Sequence, residues 1–289
     1  MFKLTFKNAE GETLEMGAVF PYILGKHSGL SSNDVITQTS KGYNQNGSYY
    51  YGSLDNARTI NMTVYFNYAS DVEGREKQKH IAKIFNPRLG MGQIVYEDSY
   101  GKYIIDGVVS LKPVIYRIDE NEYSMTKAFD VVLTCPKPDW LSYEPKSLKM
   151  NTLIGGLTYP MSFPITFAET GTGGAIAYDG DNPADILFDF RVAEGGESMT
   201  NPKVANGKGE YIEIDRTIYA GEKILVDTNP DKPSIIFVDS DGNKSDAWEN
   251  LIWGSTFFQL TRGENLFTFT ASSGDPEVYG EYREHFAGV

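Results

Sequence analysis

The chain is 289 residues long, enough for about two domains of roughly 100–200 residues each. Its 40% hydrophobic and 22% charged composition, with 19 Tyr, 16 Phe, 3 Trp and 29 Gly, suits a β-rich globular protein and excludes a disordered, collagenous or coiled-coil one. Acidic residues outnumber basic ones 39 to 26, and the resulting formal charge of -13 repels phosphate backbones, which argues against nucleic-acid binding.

Residues 2–7 alternate, with Phe2, Leu4 and Phe6 on one face, and the break at Asn8-Ala9-Glu10-Gly11 turns the chain into a second strand around Thr13–Phe20. No signal-peptide pattern and no membrane span is expected, since no window approaches the roughly 18 apolar residues that crossing a bilayer needs. The stretch 25–56 is rich in Ser, Asn, Gly and Tyr and far exceeds the usual connection of roughly 2–6 residues, so it reads as an extended hairpin or arm, centred on Ser40–Asn56. Arg58–Tyr68 alternates again. A helix follows, capped by Ser70 or Asp71, with Asp71, Glu73 and Glu76 toward its start and Lys77, Lys79 and Lys83 toward its end. Ile81, Ile84 and Phe85 with His80 supply its apolar face, and Asn86-Pro87 stops it. Gln93–Glu97, Lys102–Val109, Pro113–Ile118 and Thr126–Cys135 read as strands, giving a sandwich-like first domain with one helix.

Cys135-Pro136-Lys137-Pro138 leads into a polar stretch, and the domain boundary is placed at 145: residues 1–145 and 146–289. The first part carries 15 basic and 17 acidic residues, net -2; the second carries 11 and 22, net -11. The second part shows strand after strand: Met161–Phe167, Asp185–Val192, Gly209–Ile214, Lys223–Asp227, Ser234–Val238, Phe257–Leu260, Asn265–Ala271 and Glu277–Glu284. This spacing predicts an antiparallel sandwich or jelly roll.

Few residues invite chemistry. His27, His80 and His285 stand apart along the chain, leaving Ser, Thr or Cys nucleophiles without a base. The single Cys135, which can form no internal disulfide and no Cys-rich zinc site, follows an alternating strand and reads as buried. Gly171-Thr172-Gly173-Gly174 lacks the following Lys-Ser/Thr of a phosphate loop and reads as a flexible turn. Asp179, Asp181, Asp185 and Asp189 supply carboxylates that a glycosidase could pair. Asp239-Ser240-Asp241-Gly242-Asn243 has a calcium-loop flavour but not EF-hand spacing, and reads equally as a tight turn. Trp248, Trp253, Tyr211, Tyr219, Tyr279 and Tyr282 are candidates for sugar stacking or for core. Tyr43–Tyr51 has too few aliphatic neighbours to bury itself, and Tyr, Ser, Gly and Asn together make an adaptable contact surface. No catalytic, cofactor-binding or metal-binding residue is assigned.

Several stretches in order carry a resemblance. They are Phe6-Lys7-Asn8 with Gly11-Glu12, Gly29-Leu30, Thr39-Ser40-Lys41-Gly42 with Gly47, Arg58-Thr59-Ile60, Ile84-Phe85-Asn86-Pro87, and Cys135 to Trp140. In the second half they are Ala220-Gly221-Glu222, Val226-Asp227-Thr228, Ser255 to Leu260, Gly263-Glu264-Asn265, and Tyr282 with Gly288-Val289. Together they resemble the distal tail (Dit) proteins of long-tailed bacteriophages over nearly the whole chain. That resemblance implies an all-β, non-enzymatic structural protein with one helix, whose N-terminal β-sandwich builds a homo-hexameric ring at the end of the tail tube, with the hairpin embracing a neighbour. It also implies a galectin-like C-terminal β-sandwich that projects outward. The implied partners are the tail tube protein, a tail-tip protein, and receptor-binding or baseplate proteins, with a weak host-surface saccharide besides, at the virion tail tip after assembly in the host cytoplasm. A carbohydrate-binding module and a glycoside hydrolase are the alternatives.

Overall fold

The computed structural model describes residues 2–118, 125–150, 152–154, 169–274 and 276–289. The chain divides into two compact units, the first made of Met1–Tyr143 with Phe286–Val289 and the second of Glu144–His285.

In the first unit the strands are β1 (Lys3–Lys7), β2 (Thr13–Gly17), β3 (Tyr22–Ser28), β4 (Val35–Ser40), β5 (Tyr49–Asp55) and β6 (Arg58–Asn67). After the helix α1 (Asp71–Ile84) come β7 (Gly92–Glu97), β8 (Lys102–Arg117), β9 (Thr126–Cys135) and β10 (Trp140–Ser142). Period-2 alternation builds them: β6 buries Arg58, Ile60, Met62, Val64 and Phe66 in turn, and β9 answers with Val131, Leu133 and Cys135. The sheet runs β10-β8-β7-β1-β2-β3-β6-β9, and a further β8–β9 pairing closes seven of these strands into a ring. The sandwich-like sheet expected from the sequence therefore closes on itself, which removes most free edges.

The helix forms where its charges and cap predict. Ser70 is the N-cap, its hydroxyl accepting from the Glu73 N–H, and the Glu73 carboxylate accepts from the Ala69 N–H. Ile81, Ile84 and Phe85 are buried while His80 is exposed, so His80 does not share the apolar face. Phe85 stacks on Phe6 of β1 at 4.8 Å. Lys83 reaches Glu12, pinning the helix to the β1–β2 turn, and this partner holds the Glu12 carboxyl below its usual range.

Lys102–Val109 and Pro113–Ile118, read as two strands, are one 16-residue strand with irregular register at Val109/Leu111 and Leu111/Val114. Pro113 is tolerated because it lies where the β7-side edge has no ladder partner. Cys135 is fully buried, and that burial pushes its thiol up to about 12. Maleimide at about pH 8 is therefore expected to leave the folded protein unlabelled and to modify it fully only in denaturant. Rapid labelling of the native protein would contradict this packing.

The second unit holds β11 (Lys146–Lys149), β12 (Thr152–Ile154), β13 (Glu169–Tyr178), β14 (Ile186–Val192), β15 (Ser198–Thr200), β16 (Lys203–Asn206) and β17 (Tyr211–Glu213). It continues with β18 (Thr217–Tyr219), β19 (Lys223–Asp227), β20 (Ser234–Val238), β21 (Lys244–Asp246), β22 (Gly263–Thr270) and β23 (Pro276–Tyr282). A six-stranded sheet, β11-β23-β14-β19-β20-β21, shares one core with a five-stranded sheet, β12-β13-β22-β16-β17. Phe188 and Phe190 of β14 meet this core with Phe267 and Phe269 of β22, and Phe188 lies 5.7 Å from Phe267 edge-on.

Two expectations change here. Gly173 and Gly174 lie inside β13, opposite Thr268 and Phe267, and not in a turn. A Cβ at Gly174 would meet the Met150 carbonyl oxygen at 2.6 Å, so the glycine marks a close backbone approach. Phe257–Leu260 forms no strand; only Leu260 makes a bridge, to Ala184. Met161–Phe167 lies outside the described residues. The last strand, β24 (His285–Phe286), pairs with β10, so Phe286–Val289 complete the first unit.

Candidate functional site

The first unit carries two surfaces that its own fold leaves uncovered. The larger is the β4–β5 hairpin, whose strands, among the described residues, pair only with each other, from Val35 opposite Asp55 to Ser40 opposite Tyr49. Every residue of β4 is exposed. Val35, Ile36, Tyr49, Tyr50, Tyr51 and Leu54 stand in solvent, and Tyr43 at the tip is 98% exposed. The arm thus falls inside the expected stretch 25–56, with its first strand, Val35–Ser40, ahead of the segment Ser40–Asn56 on which that expectation centred. A strand solvated on both faces shows no in-out alternation for sequence reading to detect.

At about 3.3 Å per residue each arm strand extends roughly 20 Å. Its tip turns through Asn44 and Gly47, both at positive φ, with Gln45 Oε1 accepting from the Gly42 N–H at 3.0 Å. Local polar contacts stiffen it: the Ser40 and Tyr51 hydroxyls lie 2.9 Å apart, and those of Tyr50 and Ser53 2.8 Å.

The root is held far more tightly than the tip. Asn33 Nδ2 donates to the Asn56 carbonyl at 2.7 Å, and the Asn56 N–H donates to the Asp34 carbonyl at 2.9 Å. Beneath them Arg58 is 1% exposed and donates to five backbone carbonyls. Its Nε bonds Pro138 at 2.6 Å, its Nη1 bonds Gly29, Leu30 and Ser32 at 2.8, 3.0 and 3.2 Å, and its Nη2 bonds Ala287. Trp140 Nε1 also donates to Leu30 at 3.0 Å. Gly29 has φ +87, and a Cβ there would lie 2.0 Å from the Thr59 carbonyl oxygen, so only glycine fits where the chain leaves β3 for the arm. Burial lowers the Arg58 pKa, yet a guanidinium stays charged at any physiological pH.

The second surface is the far half of β8. The β7–β8 pairing runs out where Gly92, the first residue of β7, lies opposite Gly107, and among the described residues nothing pairs that edge of β8 beyond it. Leu111, Val114 and Tyr116 are exposed there, as are Ile118, just past the end of β8, and Met125, just before β9. An open apolar strand edge is a template for another strand.

The other candidates are dispersed. His27 Nδ1 lies 3.0 Å from the Gly25 carbonyl, His80 is on the helix, and His285 Nε2 lies 3.6 Å from Asp185. Asp189 binds Arg191 at 2.6 Å and Lys223 at 3.3 Å, while Asp179 and Asp181 face Arg262 at 4.0 and 3.9 Å. These carboxylates face cations, an arrangement unsuited to an acid–base pair. Asp239 is spent on a turn: its carboxylate accepts from the N–H groups of Asp241 and Asn243 and from the Asn243 amide, which lowers its pKa. Among the described residues no three His, Cys, Asp or Glu side chains converge to hold a metal. Tyr282 is buried, Tyr279 bonds Glu277, Lys203 lies over Tyr211, and Tyr219 is exposed.

Comparison with known proteins agrees with this division. Residues 9–135 match the family model for a phage tail protein RIFT-related domain, and residues 179–286 match that for the C-terminal domain of a siphovirus-type tail component. No curated protein matches the chain by sequence. Among solved structures, the Dit (gp 19.1) protein of phage SPP1, described as a paradigm of the hub adsorption apparatus in phages infecting Gram-positive bacteria, aligns with a TM-score of 0.70. The identity is 12%, over 98% of this chain and 99% of that one. A chain of the phage P2 baseplate in its activated conformation, solved with Ca and with Sr, aligns with a TM-score of 0.56 at 8% identity over all of both chains. At such identities the likeness is one of fold.

Proposed function

Because the chain belongs to the siphovirus-type distal tail (Dit) family, structural components of phage tails, we propose that six copies close into a ring at the distal end of the tail tube. There it acts without catalysis as the hub that joins the tube to the tail tip and to receptor-binding or baseplate proteins. The observation that carries this reading is the arm. An isolated two-stranded hairpin is marginally stable in water, and this one exposes seven large apolar or aromatic side chains along its length. Such a hairpin is used when another surface covers it.

The free β8 edge gives the first unit an acceptor as well as a donor. Donor and acceptor at different places on one subunit make a heterologous contact, which repeats around an axis and closes into a ring. The near-neutral charge of residues 1–145 permits close packing of copies, whereas the acidity of residues 146–289 suits partners with basic surfaces. Negative-stain microscopy of the purified protein tests the proposal: six-fold rings are expected, and a uniform field of monomers at micromolar concentration would argue against self-assembly as its mode of action.

A further inference from the structure

A different kind of surface lies at the edge of the six-stranded sheet of the second unit. Trp248 follows β21 and is 43% exposed. Its indole stacks on the Phe257 ring with centroids 5.6 Å apart and planes within 3°, so one face is backed and the ring is held in place. A groove of about 650 Å³ opens beside it between the start of β20 and the end of β21, within the roughly 300–1,000 Å³ of small-molecule sites. Ile236 contributes an apolar patch to its lining, and Lys232, Ser234, Lys244 and Asp246 bring polar groups to it.

Three of these four polar side chains are unspent. Asp246 Oδ1 accepts from the Trp248 N–H at 3.0 Å, which fixes the turn that presents the indole. Among the described residues, the side chains of Lys232, Ser234 and Lys244 enter no hydrogen bond or ion pair. The middle of the same sheet differs sharply. There Lys149 pairs with Glu277 at 2.6 Å, Arg191 with Asp189 at 2.6 Å and Lys223 with Asp189 at 3.3 Å, leaving a self-satisfied network. The middle of the sheet therefore closes polar bonds of its own, whereas the amines and the hydroxyl beside the indole stay unpaired among the described residues.

We propose that this groove binds a saccharide, with the apolar face of one pyranose ring on Trp248 and its hydroxyls bonded by Lys232, Ser234, Lys244 and Asp246. A rigid apolar plate rimmed by amines, a hydroxyl and a carboxylate complements a ring with an apolar face and a polar rim. A protein partner fits it less well, because stable protein interfaces bury at least about 1,000 Å² around an apolar core, and an added strand would find only the three residues of β21 to pair with. The inference goes beyond the hub reading and does not depend on it. Trp253, 97% exposed and outside the groove, is a built-in control.

The test uses the full chain on a glycan array of neutral and acidic mono- to tetrasaccharides, followed by calorimetric titration of the strongest binders up to about 10 mM, as single-ring sites are weak. Trp248→Ala is expected to weaken binding at least about 10-fold, Trp253→Ala to change it less than about two-fold, and Trp248→Phe to retain part of it by keeping the stack on Phe257. Light scattering should give Trp248→Ala the same mass as the parent, separating this result from any failure of assembly. Absence of binding to every array glycan, binding that survives Trp248→Ala, or loss with Trp253→Ala instead would overturn the proposal. So would capture of another tail protein through Trp248 by a chain that binds no saccharide.

Discussion

Replacing residues 35–55 by a short Gly-Ser link is expected to yield a folded protein that no longer assembles, with its mass by light scattering falling to that of one chain. The side chains removed are exposed in the subunit and belong to neither core, so the thermal midpoint should stay close to that of the parent chain dissociated by dilution. Their removal matters only between copies. Val35, Ile36, Leu54 and the four arm tyrosines each offer about 1 kcal/mol or more on burial. After ordering costs the net loss should still weaken each contact by at least about 100-fold. Unchanged mass after the excision would show that the ring closes through other surfaces and would remove the arm from the interface.

Arg58→Met should be among the most damaging single changes in the first unit. Methionine retains much of the stem volume but none of the donors, so the carbonyls of Gly29, Leu30, Ser32, Pro138 and Ala287 lose their shared partner in a buried site. Stranding several buried acceptors costs about 3–5 kcal/mol, a fall of about 10 °C in midpoint for a unit of this size. Calorimetry reads this directly. A drop of less than about 1 kcal/mol would mean that water or relaxation serves those carbonyls. Because three of the five lie on the segment that enters the arm, the variant should also assemble poorly below its midpoint, a defect that light scattering separates from unfolding.

Arg58 also illustrates what a sequence conceals. It sits at the head of an alternating strand, in phase with Ile60, Met62 and Val64, yet its inward position would ordinarily argue against an arginine. Only the convergence of residues 29–32, 138 and 287 explains it. The same holds for Phe286–Val289: the Val289 N–H reaches the Leu30 carbonyl, and a Cβ at Gly288 would lie 2.4 Å from the Ser31 carbonyl oxygen. Nothing in the local pattern of those residues sends them back to the first unit.

Trp248 and Trp253 make a similar pair. On sequence both are stacking candidates on equal terms, whereas the fold gives Trp248 a backing ring and a polar groove and leaves Trp253 in open solvent. The β8 edge was obscured for another reason. Lys112-Pro113 looks like a strand break, and only the end of β7 opposite Gly107 reveals one long strand whose far half lacks a neighbour on that side.

What the sequence determined by itself was local and periodic. The cap and charge order of α1, the alternation of β1, β6, β9, β14 and β19, the polar tyrosine-rich arm and the charge contrast between the two parts all follow from neighbouring residues, because helix and strand periods and turn chemistry act over a few positions. Tertiary structure decided the rest: closure of the first sheet through β8–β9, the glycine crossing under Met150, the clasp of Arg58, and which indole faces a groove. Each of these depends on segments far apart in the chain meeting at van der Waals or hydrogen-bonding distance, and such meetings are set by packing the whole core at once.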